Sequence, residues 1–176
     1  MHYHFRVYKD NDELWAECIE LEGCQTQSQN NTFEDLYKNM KEVLNLYLNE
    51  PADSHIVFPK PDVISNDENI VEVEVEPKIA FAYLLRVFRL NRNLTQKEMA
   101  MKLGFKNLWS YQKLEKPEQS NPTLQTLSKI NSVFPDFDIR EIFQSSGKFN
   151  IQFMQFYDKI LLKNFLGKKM KEFAHE

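Results

Sequence analysis

Residues Leu94 to Glu115, LTQKEMAMKLGFKNLWSYQKLE, decide how the second half of this chain folds. Thr95 stands three positions before Glu98, the spacing of a capping box in which each side chain satisfies the other's backbone N–H, so a helix begins there. Met99, Ala100 and Leu103 then share one face at helical spacing, and Gly104 supplies the positive φ that stops the helix. Asn107 is a second N-cap. After it, Leu108, Tyr111 and Leu114 form an inward stripe and leave Trp109, Gln112 and Lys113 outside. The stretch therefore reads as two short helices joined by a tight turn.

Upstream, IAFAYLLRVFRLNRN (79–93) reads as a preceding helix. Downstream, NPTLQTLSKINSVF carries Asn121 or Thr123 as a cap with Pro122 at the helix entrance, and DIREIF closes the set as a short helix. Thr95, Gln96, Ala100, Leu103, Gly104, Leu114 and Glu115 together match T-Q-x-x-x-A-x-x-L-G followed by L-E. The region resembles the Xre-type helix-turn-helix family of phage-repressor-like domains, with a turn after Gly104 that is one residue longer. The resemblance implies an all-α domain that reads double-stranded operator DNA. Asn107, Leu108, Trp109, Gln112 and Lys113 would face the major groove, and Gln96 would contact a phosphate. Gln112 suits adenine and Lys113 guanine, while Leu108 and Trp109 suit a thymine methyl or a sugar edge. Trp109 has a second reading, in which it closes the small core or a protein contact. Operators read by two symmetric copies imply a homodimer or a higher homo-oligomer.

Charge divides the chain at the same place. Up to Pro77 there are five basic residues (Arg6, Lys9, Lys38, Lys41 and Lys60) against seventeen acidic ones. The remainder holds seventeen basic and nine acidic residues, so a net −4 conceals an acidic half and a basic half. Phosphate favours the basic half, and the acidic half suits a basic partner or is simply a solvated surface. Three segments are expected: 1–77, 78–144 and an extension at 145–176.

In the first segment, His2 to Tyr8 and Glu13 to Leu21 alternate as half-buried strands around the turn-forming Lys9-Asp10-Asn11-Asp12. CQTQSQ makes a third short strand. Thr32, with Asp35 three residues on, caps a helix with Leu36, Met40, Val43, Leu44, Tyr47 and Leu48 on its apolar stripe, ended by Pro51. IVEVEVE (70–76) alternates strictly, with Val71, Val73 and Val75 inward and Glu72, Glu74 and Glu76 outward. The order is β-β-β-α-β, an α+β unit, joined through the connector PADSHIVFPKPDVISNDEN.

Ala16-Glu17-Cys18-Ile19-Glu20-Leu21-Glu22-Gly23-Cys24, then Thr26 and Thr32-Phe33-Glu34-Asp35-Leu36, resemble the HicB antitoxin family, with Ile19 and Glu22 where that family carries prolines. The resemblance implies a truncated ribonuclease-H-like sheet with one packed helix. It also implies an antitoxin that occludes a basic, mRNA-cleaving HicA-like toxin and represses its own operon. The alternative is a stand-alone Xre-type transcription regulator whose first domain binds another protein or ligand.

No catalytic or metal site is expected and no cofactor. Glu17, Glu20, Glu72, Glu74 and Glu76 are the nominal carboxylates for a two-metal nuclease, but the last three lie opposite the valines, as on a solvated face. His2 and His4 share a strand face without an evident third ligand, and Cys18 and Cys24 read as buried reduced thiols rather than a zinc site. No leader and no apolar run near the ~18 residues of a membrane span is evident, so a cytoplasmic location is expected. The aromatic, basic stretch KFNIQFMQFYDKILLKNFLGKKMKEFAHE is expected to pack on the helical domain or between subunits, its rival being a helix on a membrane surface.

Overall fold

Alternation of Tyr3, Phe5 and Val7 with His2, His4 and Arg6 produces strand β1 (His2–Asp10), in which Tyr3, Phe5 and Val7 are buried. The structure, a computed structural model, describes residues 1–61 and 69–143. Asn11 and Asp12 both adopt positive φ (50° and 66°), as a two-residue hairpin turn requires, and return the chain as β2 (Glu13–Cys18). β3 (Gln25–Gln27) and β4 (Ile70–Glu74) complete an antiparallel sheet of order β3-β2-β1-β4. Phe5 stands opposite Cys18 on one side and Val71 on the other, so the buried residues of adjacent strands form rows across one face.

Helix α1 (Phe33–Leu48) covers that face with Phe33, Leu36, Met40, Leu44 and Leu48. Each such burial removes a side chain from water for about 1.5–3 kcal/mol. Thr32 caps α1 as its spacing requires, accepting from the Asp35 N–H at 3.3 Å. Asp35 in turn accepts from the Gln29 and Asn30 N–H groups and from Ser28 Oγ, which binds the QNN turn to the helix. Donation from Asn30 first of all holds the Asp35 carboxyl below its usual range.

Helix α2 (Pro77–Leu90) is buried at every residue from Ile79 to Val87. A helix buried all round is an internal one. It has the sheet unit on one side and, on the other, α3 (Gln96–Lys102), α4 (Leu108–Gln112) and α5 (Leu124–Val133), with 3-10 turns at Lys113–Glu115 and Ile139–Ile142. Phe81 and Phe88 meet Phe137 edge-on, at 6.2 and 5.1 Å between ring centres. One buried cluster runs from Met1 through α1 and α2 to Ile142. The first residue's ammonium also donates to the Ile142 carbonyl, joining the start of β1 to the last turn.

The β-β-β-α-β order and the succeeding helices appear as the residue pattern requires, with local differences. β2 stops at Cys18 instead of Leu21 because the chain bends there: Glu20 turns back to accept from the His4 N–H at 3.0 Å, and Gly23 sits at φ +81°. β3 is three residues long, and β4 ends at Glu74 although Val75 remains buried and donates to the Met1 carbonyl. Helix α2 begins at Pro77 and ends at Leu90, Thr123 is the cap of α5, and DIREIF is a 3-10 turn capped by Asp138. Cys18 and Cys24 are buried and free. The expected extension at 145–176 lies outside the described residues. Among the described residues no helix is long and apolar enough to cross a membrane.

Candidate nucleic-acid interface

The helix pair begins where its sequence says. Thr95 Oγ1 accepts from the Glu98 N–H while Glu98 Oε2 accepts from the Thr95 N–H at 2.8 Å, a complete capping box at the start of α3. Glu98 is thereby held below the usual carboxylate range, chiefly by the Thr95 backbone donor. At the other end Gly104 has φ +67°, and the Phe105 N–H reaches back five residues to the Ala100 carbonyl at 2.9 Å, closing the helix end. Asn107 Oδ1 then accepts from the Ser110 N–H at 2.8 Å and starts α4.

α4 is short, and this corrects the expected inward stripe. Tyr111 and Leu114 are buried, but Leu108 keeps 39% of its surface exposed, because it is the first helical residue and the chain has not yet reached the core. From Lys113 the helix tightens into a 3-10 turn that brings Leu114 and Glu115 inward.

Glu115 is fully buried and joins three helices. It accepts from Arg89 Nε (2.6 Å) and Nη2 (2.9 Å) of α2, from Gln96 Nε2 (3.1 Å) of α3 and from the Tyr111 hydroxyl of α4. Burial would lower the Arg89 guanidinium, but its hydrogen bonds to Glu115 outweigh this and hold it above its usual value. Arg89 Nη1 also donates to the Leu94 carbonyl at 2.9 Å, so the loop before α3 is tied to the same centre. The motif's final L-E thus sets how the two short helices lie against α2.

The sequence-predicted reading residues fall into two groups on this frame. Leu108 and Trp109 project from the start of α4, and Trp109 is 59% exposed, so it does not close the core among the described residues. Lys113 Nζ lies 3.5 Å from the Trp109 ring centre, a cation over an aromatic face. Asn107 stands at the exposed N-terminus, its carbonyl oxygen engaged as the cap. Gln112 and Gln96 form the second group. Gln112 Nε2 donates to Gln96 Oε1 at 2.9 Å, and Gln96 Nε2 donates to the Ala52 carbonyl at 2.7 Å. Lys97, Lys102, Lys106 and Lys116 are exposed around both groups.

The contact with Ala52 was not legible in the residue pattern. Carbonyls at the end of α1 and the start of the connector carry no side-chain signal, yet they anchor the helical half. Arg86 Nη1 donates to the carbonyls of Glu50 (3.2 Å) and Pro51 (3.0 Å), and the Tyr83 hydroxyl donates to that of Phe58 at 2.7 Å. A groove of about 550 Å³ remains between the Asn49–Asp53 turn, Gln96, Gln112 and the 116–119 loop.

In the sheet unit, the face away from α1 carries Arg6, Tyr8, Trp15 and Glu17, with Arg6 Nη1 3.2 Å from Glu17 Oε1. His4 Nδ1 lies 2.5 Å from Glu20 Oε1 and its Nε2 3.8 Å from Glu72. Among the described residues, no three acidic, histidine or cysteine side chains converge as a metal would require.

No curated protein matches the chain. A capped helix, a glycine-closed turn and a second capped helix with an exposed, lysine-ringed face are the parts of a DNA reader, and residues 85–142 match the Helix-turn-helix family model, so this third of the chain is similar to the helix-turn-helix domains of DNA-binding transcription regulators.

Proposed function

We propose that this protein is an antitoxin and autorepressor. Its helix-turn-helix domain binds the operator of its own operon as a dimer or larger assembly, and its acidic sheet unit occludes a basic, HicA-like RNA-cleaving toxin. The observation that carries the reading is the joining of an exposed, basic helix-turn-helix surface to a β-β-β-α-β unit of opposite charge. A toxin that binds RNA must be basic, and an acidic surface attracts it over distance and speeds encounter. In the operator complex, Trp109 and Lys113 would enter the major groove, with Gln112 beside them and Gln96 next to the phosphates.

The packing supports communication between the two activities. The Asn49–Asp53 turn continues directly from α1 and contacts Gln96, so a partner that shifts α1 acts on the DNA-facing edge. Co-purification with the product of the adjacent reading frame, followed by an RNA-cleavage assay with and without this chain, tests the proposal. Cleavage by the neighbour alone, suppressed at one equivalent of this chain, is expected. A neighbour without ribonuclease activity, alongside intact promoter binding, would leave a regulator whose sheet unit binds something else.

A further inference from the structure

The chain has only two cysteines, and the sheet sets them opposite each other. The pairing of Ala16 with Thr26 and of Glu17 with Gln25 continues to Cys18 and Cys24, whose backbones are joined by the Cys18 N–H donating to the Cys24 carbonyl at 2.8 Å. Directly opposed residues of a hydrogen-bonded antiparallel pair have Cα atoms ~5.5 Å apart, inside the ~4.4–6.8 Å that a disulfide spans. Both side chains are buried and both thiols free. The bend between them is closed by backbone bonds of its own: the Ile19 N–H donates to the His4 carbonyl at 2.8 Å and the Cys24 N–H to the Leu21 carbonyl at 3.0 Å. Glu22 and Gly23 of that bend are exposed, so the cover over the sulfurs is itself at the surface.

We propose that Cys18 and Cys24 form a reversible two-electron redox site, which a peroxide closes into a disulfide within the folded protein. The two sulfurs are not equivalent. The contact between the two thiols first of all, and then burial, pushes the Cys18 thiol up, while the same contact holds the Cys24 thiol below its ordinary value. Glu20 Oε2, 3.5 Å from Cys18 Sγ, further opposes negative charge on Cys18. Cys24 is therefore the attacking thiolate.

Its sulfur bonds to one peroxide oxygen as the O–O bond breaks, the other oxygen leaves as water after taking a proton, and Cys24 becomes a sulfenic acid. The Cys18 sulfur then attacks the Cys24 sulfur. The S–O bond breaks, and the departing hydroxide takes the Cys18 proton to leave as a second water. Two thiols and one peroxide thus give one disulfide and two waters. Because the bend over the sulfurs is exposed at Glu22 and Gly23, small thiols can reach the bond and reduce it.

The test uses the purified, reduced full chain and hydrogen peroxide. Both free thiols should disappear, the intact mass should fall by two hydrogens, and a non-reducing digest should yield a peptide joining Cys18 to Cys24. Reduced glutathione should restore both thiols. Cys18→Ser should stop at a sulfenic acid on Cys24 that dimedone traps, and Cys24→Ser should consume peroxide roughly ten-fold more slowly. Thiols that survive peroxide, bridges between chains, or conversion to sulfinic acid without an internal disulfide would each overturn the proposal. The wild-type result decides by itself if either variant fails to fold.

Discussion

Glu115 shows how much a single side chain does here. It is fully buried and answers four donors from three helices, including both forks of the Arg89 guanidinium. Removing one partner of such a pair leaves the other charge buried and alone, at a cost of about 3–5 kcal/mol. Glu115→Ala should therefore lower the unfolding free energy by about 3 kcal/mol in urea titration, and a loss below about 1 kcal/mol would show that the carboxylate does not organise the domain. Glu20 gives a prediction in pH. Burial would raise its carboxyl, but hydrogen bonds from the His4 side chain and backbone outweigh this and hold it below the usual value of 4.5. A carboxyl lowered on folding stabilises the protein fully above its unfolded value, and that contribution is lost as pH falls through the lower folded value. The stability difference between wild type and Glu20→Gln should be greatest above about pH 4.5 and fade towards acid. A difference independent of pH would contradict the assignment.

At the scale of elements, local chemistry was the most legible part of the chain. Thr32, Thr95, Asn107 and Thr123 all cap helices, and Gly104 carries the positive φ its position in the motif required. Nothing lies within 4 Å of a Cβ built at Gly104, so Gly104→Ala meets backbone strain alone and should cost about 1–2 kcal/mol by thermal unfolding. Asn107→Ala should cost about 1 kcal/mol and, because α4 has five residues, should weaken operator binding by more than that loss of stability alone explains. Equal binding at a temperature where both proteins are folded would contradict a DNA-reading role for α4. The elements whose lengths differed from the pattern, β2, β3 and the end of α4, were decided by contacts distant in sequence. Glu20 turns to His4 and Glu115 to Arg89, and no local periodicity records either pairing.

At the scale of the whole molecule, the two charge halves are visible in composition, but their mutual packing is not. The apolar run from Ile79 to Leu85 in α2 is the sequence feature that reflects it, since a helix at the margin of an independent domain would keep a polar face. The Gln96–Ala52 bond, the Arg86 contacts to the connector carbonyls and the Lys60–Glu141 ion pair at 2.7 Å all join the sheet unit to the helical one. The described residues should consequently unfold in a single transition when followed by both tryptophan fluorescence and far-ultraviolet circular dichroism. Two separated transitions would contradict the continuous core. If Gln112 and Lys113 read bases as proposed, Gln112→Ala together with Lys113→Ala should erase discrimination between operator and unrelated DNA while leaving weak, salt-sensitive binding through phosphate contacts.

The most direct measurement is a fluorescence-anisotropy competition in which the full chain, bound to a labelled fragment from upstream of its own gene, is challenged with unlabelled copies of that fragment or with a scrambled duplex of the same composition. The promoter fragment should compete at least ~1,000-fold more effectively at physiological salt, with affinity falling steeply as salt rises. Equal competition by the two duplexes would show that this helix-turn-helix domain does not read its own operator.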